Sequence, residues 1–155
     1  MKHNSILYFL LPFFMVSLGA FTSTIKNNLP NGYKGKPYFD KVYKAGAQLI
    51  PGRVQCALYD LGGEGIAYHD TDSINKGSGE YNYQPGHCEP ESEYVCHFRE
   101  KEGVDLSYTK EFLDFNHPNP FTPERRQLYI GWTNDNESCN YTVNVKKTGT
   151  YKVGI

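Results

Sequence analysis

The sequence predicts an all-β domain, and three observations point there. Aromatic residues make up 15% of the chain, as thirteen tyrosines and nine phenylalanines against one tryptophan, and tyrosine, threonine and valine favour strands. Large residues recur on alternate positions, above all at Leu128, Ile130 and Trp132 and again at Tyr141, Val143 and Val145. That is the spacing of a strand with one buried face. No helical periodicity is legible after the N-terminus.

Length and charge narrow the partners. The 155 residues leave room for one domain once a targeting segment is set aside. With 16 basic against 17 acidic residues and a formal net charge of -1, there is no electrostatic footprint for nucleic acid or an anionic membrane. Met1-Lys2-His3-Asn4 gives a short positive start and Ile6 to Phe21 an apolar run, with Ser17, Gly19 and Ala20 near its end. This predicts a secretory signal peptide over residues 1–20, too short for a membrane span. The mature chain is then expected to be secreted, periplasmic or extracellular, with no membrane attachment.

Export implies an oxidising compartment, where Cys56, Cys88, Cys96 and Cys139 are disulfide candidates. Cys88 and Cys96 are close enough in sequence to staple their own loop. Cys56 and Cys139 each sit in an alternating run, where they either join two strands or remain buried thiols. Four cysteines allow three pairings, and sequence does not choose among them.

Residues 21–47 are rich in Lys, Asn, Gly and Pro without a period and read as a linker or N-terminal arm. Residues 48–155 hold the domain. Val54, Cys56 and Leu58 alternate as a first strand, followed by the glycine loop Leu61 to Gly65, which lacks the Lys-Ser or Lys-Thr of a phosphate loop. Asp70, Asp72 and Asn75 are hard oxygen ligands close together, so calcium is the cofactor to consider, with Asp70 and Asp72 as ligands. The competing reading is a hydrogen-bonded surface loop. Glu80 to Glu93 reads as a loop. His87-Cys88 and Cys96-His97 have the residue types of a zinc site, although in an exported chain a disulfide between ordinary histidines is favoured. Tyr94 to Phe98 and Val104 to Tyr108 are expected strands, and Thr109 to Arg126 a long excursion. Lys146 to Gly149 is a hairpin turn, and Thr150 to Ile155 begins a strand in which the sequence stops. An unpartnered edge of that kind predicts a domain incomplete at its C-terminus, or one completed by another chain.

Trp132 is the centre of the functional reading. An indole at a strand's end, beside Asn134 and Asp135 and with Tyr68 as a further aromatic, has the makeup of a sugar platform. The apolar CH face of a pyranose lies on the ring while amides and carboxylates hold its hydroxyls. A core tryptophan packed between two sheets is the alternative. Glycoside hydrolysis needs two facing carboxylates about 5 to 10 Å apart. Glu64, Asp70, Asp72, Glu93 and Glu137 are candidates by type only, so catalysis is not expected.

Four blocks carry a family likeness: Pro51 to Asp60, Gly62 to Asp72, Glu102 to Tyr108 and Leu128 to Thr133. In that order they resemble family 6 carbohydrate-binding modules appended to secreted bacterial glycoside hydrolases. The resemblance implies a jelly-roll β-sandwich of the galactose-binding-domain-like kind, which binds polysaccharides or oligosaccharides without catalysis and often holds a structural calcium. It makes Trp132 the first aromatic of a loop-end sugar site. Three departures stand out. Ala57 or Leu58 replaces an acidic residue that is often a calcium ligand, and Asn136-Glu137-Ser138 replaces a Gly-Glu-Trp that serves a second binding face. The strands that supply a second stacking aromatic and an asparagine lie beyond Ile155. The implied partners are a glycan and a missing C-terminal portion or catalytic domain. The alternative is a truncated fragment of a secreted glycoside hydrolase with little or no ligand binding.

Overall fold

The structure, a computed structural model, describes residues 29–89, 91, 93–110 and 123–154. The expected signal peptide, the start of the expected linker and most of the excursion between Thr109 and Arg126 lie outside the described residues. The described part of that linker is packed on the domain, with Tyr38 buried in the core and Lys36 paired with Leu61.

Among the described residues the fold is short strands and irregular structure, with a few short helical turns. Those residues hold six short strands: β1 (Gln48–Ile50), β2 (Tyr68–His69), β3 (Leu106–Tyr108), β4 (Leu128–Ile130), β5 (Ser138–Cys139) and β6 (Val143–Val145). They pair as three two-stranded sheets, β1 with β6 in parallel and β2 with β5 and β3 with β4 antiparallel. Among the described residues these sheets do not close into a sandwich. Helical turns cover Cys56–Leu58, Lys76–Glu80, Tyr81–Tyr83 and Glu93–Cys96, the last of them α1.

β3 is the most enclosed strand, with Leu106, Ser107 and Tyr108 all buried. A strand covered on both faces must satisfy any polar side chain internally. Ser107 does so by donating from Oγ to Asn82 Oδ1 at 3.1 Å. Around it the core gathers Tyr38, Ala57, Leu58, Tyr59, Ala67, Tyr68, Cys96, Phe98, Val104 and Leu128.

Three polar residues tie the loops to that core. Asn75 Oδ1 accepts from the backbone N–H groups of Gly77, Ser78 and Leu106, at 3.2, 3.0 and 3.0 Å. One buried amide thereby caps the turn over 76–80 and fixes it to β3. Asp60 accepts from Thr142 N at 2.8 Å, Thr142 Oγ1 at 2.6 Å and Tyr33 Oη at 2.8 Å, joining segments distant in sequence. Arg99, its side chain only 4% exposed, donates to the carbonyls of Tyr59 and Asp60 and to Glu102 Oε2. Its guanidinium lies 3.4 Å from the Tyr59 ring centroid.

Three expected strands take other forms. In the segment Val54–Leu58, Leu58 N–H donates to Gln55 O at 3.0 Å and the Gln48 side chain holds Gln55 N–H at 2.7 Å. The resulting turn buries the consecutive residues Ala57 and Leu58 together, whereas a strand would send them to opposite faces. Tyr94 to Phe98 begins in α1, with His97 N–H donating to Glu93 O at 3.2 Å. Thr150 to Gly154 forms no strand and is exposed throughout.

Candidate functional site

β4 ends at Ile130, and its ladder runs one residue further because Gly131 N–H donates to Asp105 O at 3.0 Å. Trp132 then leaves the sheet with φ +46°, a left-handed conformation that is unusual for a bulky residue and costs on the order of 1 kcal/mol or more. This turn swings the indole out over the 76–80 turn instead of continuing the alternation of Leu128 and Ile130. The ring remains 44% exposed.

What lies beneath the indole is Gly77. A Cβ there would stand 3.0 Å from Trp132 Cζ3 and 1.9 Å from Leu106 O, so glycine lets indole, turn and β3 meet. The Tyr81 and Tyr129 rings flank Trp132, with centroids 6.0 and 6.5 Å away. Together Lys76, Glu80, Tyr81, Gln84 and Trp132 line an open groove of about 240 Å³. Lys76 Nζ also lies 2.9 Å from Asp72 Oδ2 and 3.8 Å from Asp105 Oδ2. Glu80 and Gln84 are exposed.

The other residues expected at the site are deployed elsewhere. Tyr68 is only 7% exposed; it packs edge-on against Tyr59 and its Oη accepts from Gly103 N–H at 3.2 Å. It is a core residue that shows no ring face to the groove. Asn134 spends its side-chain amide on Glu137 Oε1 at 3.2 Å, and Asp135 is exposed on the same loop. Neither lines the groove. Glu137 organises that loop: its carboxylate also accepts from Asn134 N–H at 2.7 Å and from Thr71 Oγ1 at 2.6 Å. Burial pushes the Glu137 carboxyl up, but these donors outweigh it and bring it down to about 2.

Asp70 and Asp72 stand in their own turn: Asp70 Oδ1 accepts from Asp72 N–H at 3.1 Å and Asp72 Oδ1 from Ile74 N–H at 2.9 Å, while the Lys76 ammonium sits against Asp72 Oδ2. Calcium, which takes six to eight oxygens, would have to displace that ammonium to use Asp72 fully. Among the described residues, the one set of three His, Cys, Asp or Glu side chains with converging ligand atoms is Cys88, Cys96 and His97. Its two sulfurs are joined in a disulfide, which leaves no thiolate for a metal.

Sequence reasoning missed Tyr81, Lys76, Glu80 and Gln84. Their signal was present in Gly77-Ser78-Gly79, small residues that allow a tight turn against a strand, with an aromatic two positions on. No protein-family model matches this chain, and no curated protein matches it either.

Proposed function

We propose that this chain is a non-catalytic carbohydrate-binding module of an exported glycan-degrading system, and that its short sheets belong to a jelly-roll β-sandwich. The observation that carries the reading is the Trp132 indole, 44% exposed at the rim of a groove edged by the Tyr81 ring. A partly exposed indole held at an unfavourable backbone angle is the kind of strained feature that functional sites retain. Such a ring takes the CH face of a pyranose, and Glu80, Gln84 and Lys76 offer acceptors and donors for its hydroxyls. Among the described residues that line the groove, Glu80 is the one that carries a carboxylate. The reading is therefore one of binding, and hydrolysis, which uses a facing pair of carboxylates, is not part of it.

The test is affinity electrophoresis on soluble glucans and xylan with pull-down on insoluble glucans and agar. Retention by at least one glycan is expected, and Trp132→Ala should weaken it about tenfold, the equivalent of losing about 1.4 kcal/mol of stacking. Folded protein retained by none of these glycans would leave a scaffold without a sugar ligand and overturn the proposal.

A further inference from the structure

Cys56 and Cys139 carry free thiols, the first exposed and the second half-buried. They lie far apart in sequence, yet the fold runs their segments side by side. Asp60 N–H donates to Asn140 O at 2.9 Å, Thr142 N–H to Asp60 Oδ1 at 2.8 Å, and Tyr141 Oη to Cys56 O at 2.9 Å. Tyr141 is the residue the two cysteines share: its hydroxyl, which donates to Cys56 O, also stands in hydrogen-bonding reach of the Cys139 thiol. Both cysteines therefore meet the same phenol. Electrostatics agree. Burial pushes the Cys139 thiol up to about 11, and the nearby Cys56 adds to the rise.

We propose that Cys56 and Cys139 form a second disulfide when the chain is oxidised, fastening β5 to the Cys56–Leu58 turn. With glutathione disulfide as oxidant, the exposed Cys56 thiolate attacks one glutathione sulfur and expels a glutathione thiolate. Cys139, as thiolate, then attacks the Cys56 sulfur and expels the second. Two cysteine thiols are oxidised to one disulfide, one glutathione disulfide is reduced to two glutathiones, and the two protons leave with them. The bond closes a long loop, where cross-links constrain the unfolded chain most. It also anchors the C-terminal end of the 133–137 loop, which begins beside Trp132 and is held by Glu137. The pairing itself rests on the cysteines alone; its bearing on the groove rests on the carbohydrate reading.

The experiment equilibrates the mature protein in a glutathione redox buffer, blocks thiols with an alkylating agent under acid, and maps peptides by mass spectrometry without reduction. A peptide linking Cys56 to Cys139, separate from the Cys88–Cys96 pair, is the expected result. Alkylation of both Cys56 and Cys139, or their appearance in links to Cys88 or Cys96, overturns the pairing. Amide hydrogen exchange over residues 133–139 should be slower in the oxidised protein than in C56S/C139S. Equal rates overturn the anchoring of the loop. Neither readout depends on any glycan being bound, so failure here is distinct from failure of the binding module.

Discussion

Cζ3 of Trp132 sits 3.0 Å from the point where a Cβ on Gly77 would stand, so the indole rests on the one residue type that leaves it room. The same missing Cβ would lie 1.9 Å from Leu106 O in the enclosed strand β3. Flexible side chains can move aside for an added methyl, but a strand carbonyl inside a core cannot. The floor of the groove and the centre of the fold therefore share one constraint.

Gly77→Ala should cost about 3 kcal/mol or more, enough to remove most folded protein from a small domain. Gly149→Ala, where nothing lies within 4 Å of the added Cβ, should stay within about 0.5 kcal/mol of the parent. Urea unfolding of the two variants beside the wild type measures both. Equal midpoints would contradict the packing of the 76–80 turn against β3.

Arg99 is the second constraint. Its fork reaches Tyr59 O at 2.6 Å, Asp60 O at 2.9 Å and Glu102 Oε2 at 2.8 Å, with the guanidinium over Tyr59. Lysine cannot reproduce a planar fork, so Arg99→Lys should leave at least one buried carbonyl unpaired, and Arg99→Met should also leave Glu102 without its cation. Losses of about 2 kcal/mol for lysine and about 3 to 5 kcal/mol for methionine are expected. Thermal and urea midpoints report them, and a methionine variant as stable as the parent would deny Arg99 its central role.

The Glu137 loop should respond to acid. Burial raises this carboxyl, while the donors from Thr71 and Asn134 lower it further, to about 2 from an ordinary 4.5. The ionised form is thus favoured in the folded state, and its contribution is complete above about 4.5 and lost as pH falls through about 2. The Asn134 backbone amide resonance should titrate across that window in the wild type and stay flat in Glu137→Gln. A titration near the ordinary carboxylate value would show that these hydrogen bonds do not form in solution.

How much of this was legible depended on whether a local pattern had one physical solution. Leu128 to Ile130 alternates and is a strand, and Cys88 and Cys96 were near enough in sequence to pair, as they do. Val54 to Leu58 also alternates, but side-chain bonds from Gln48 hold it in a turn, a polar contact that hydrophobic periodicity does not register. Tyr94, Cys96 and Phe98 fit a period of two, while Tyr94 and Phe98 fit a helical spacing equally well, and the turn at Glu93 takes the second. At the groove, Trp132 was singled out by its chemistry. Tyr81, Glu80 and Gln84 were not, because their arrival beside the indole depends on Asn75 tying the 76–80 turn to Leu106.

Trp132 itself offers the sharpest contrast between a packing residue and a binding residue. Truncating a core tryptophan costs about 3 to 5 kcal/mol. Here the ring is 44% exposed and its backbone sits at φ +46°, which glycine adopts without the penalty that an L side chain bears. Trp132→Gly should therefore recover at the backbone much of what it loses in contacts with Gly77, Tyr81 and Tyr129, for a net change within about 1 kcal/mol. Glycan retention should fall about tenfold in the same variant. Calorimetric unfolding and affinity electrophoresis on one preparation separate the two effects. A large stability loss would make Trp132 a core residue, whereas lost retention in a protein that unfolds as before would mark the indole as the surface on which the sugar lies.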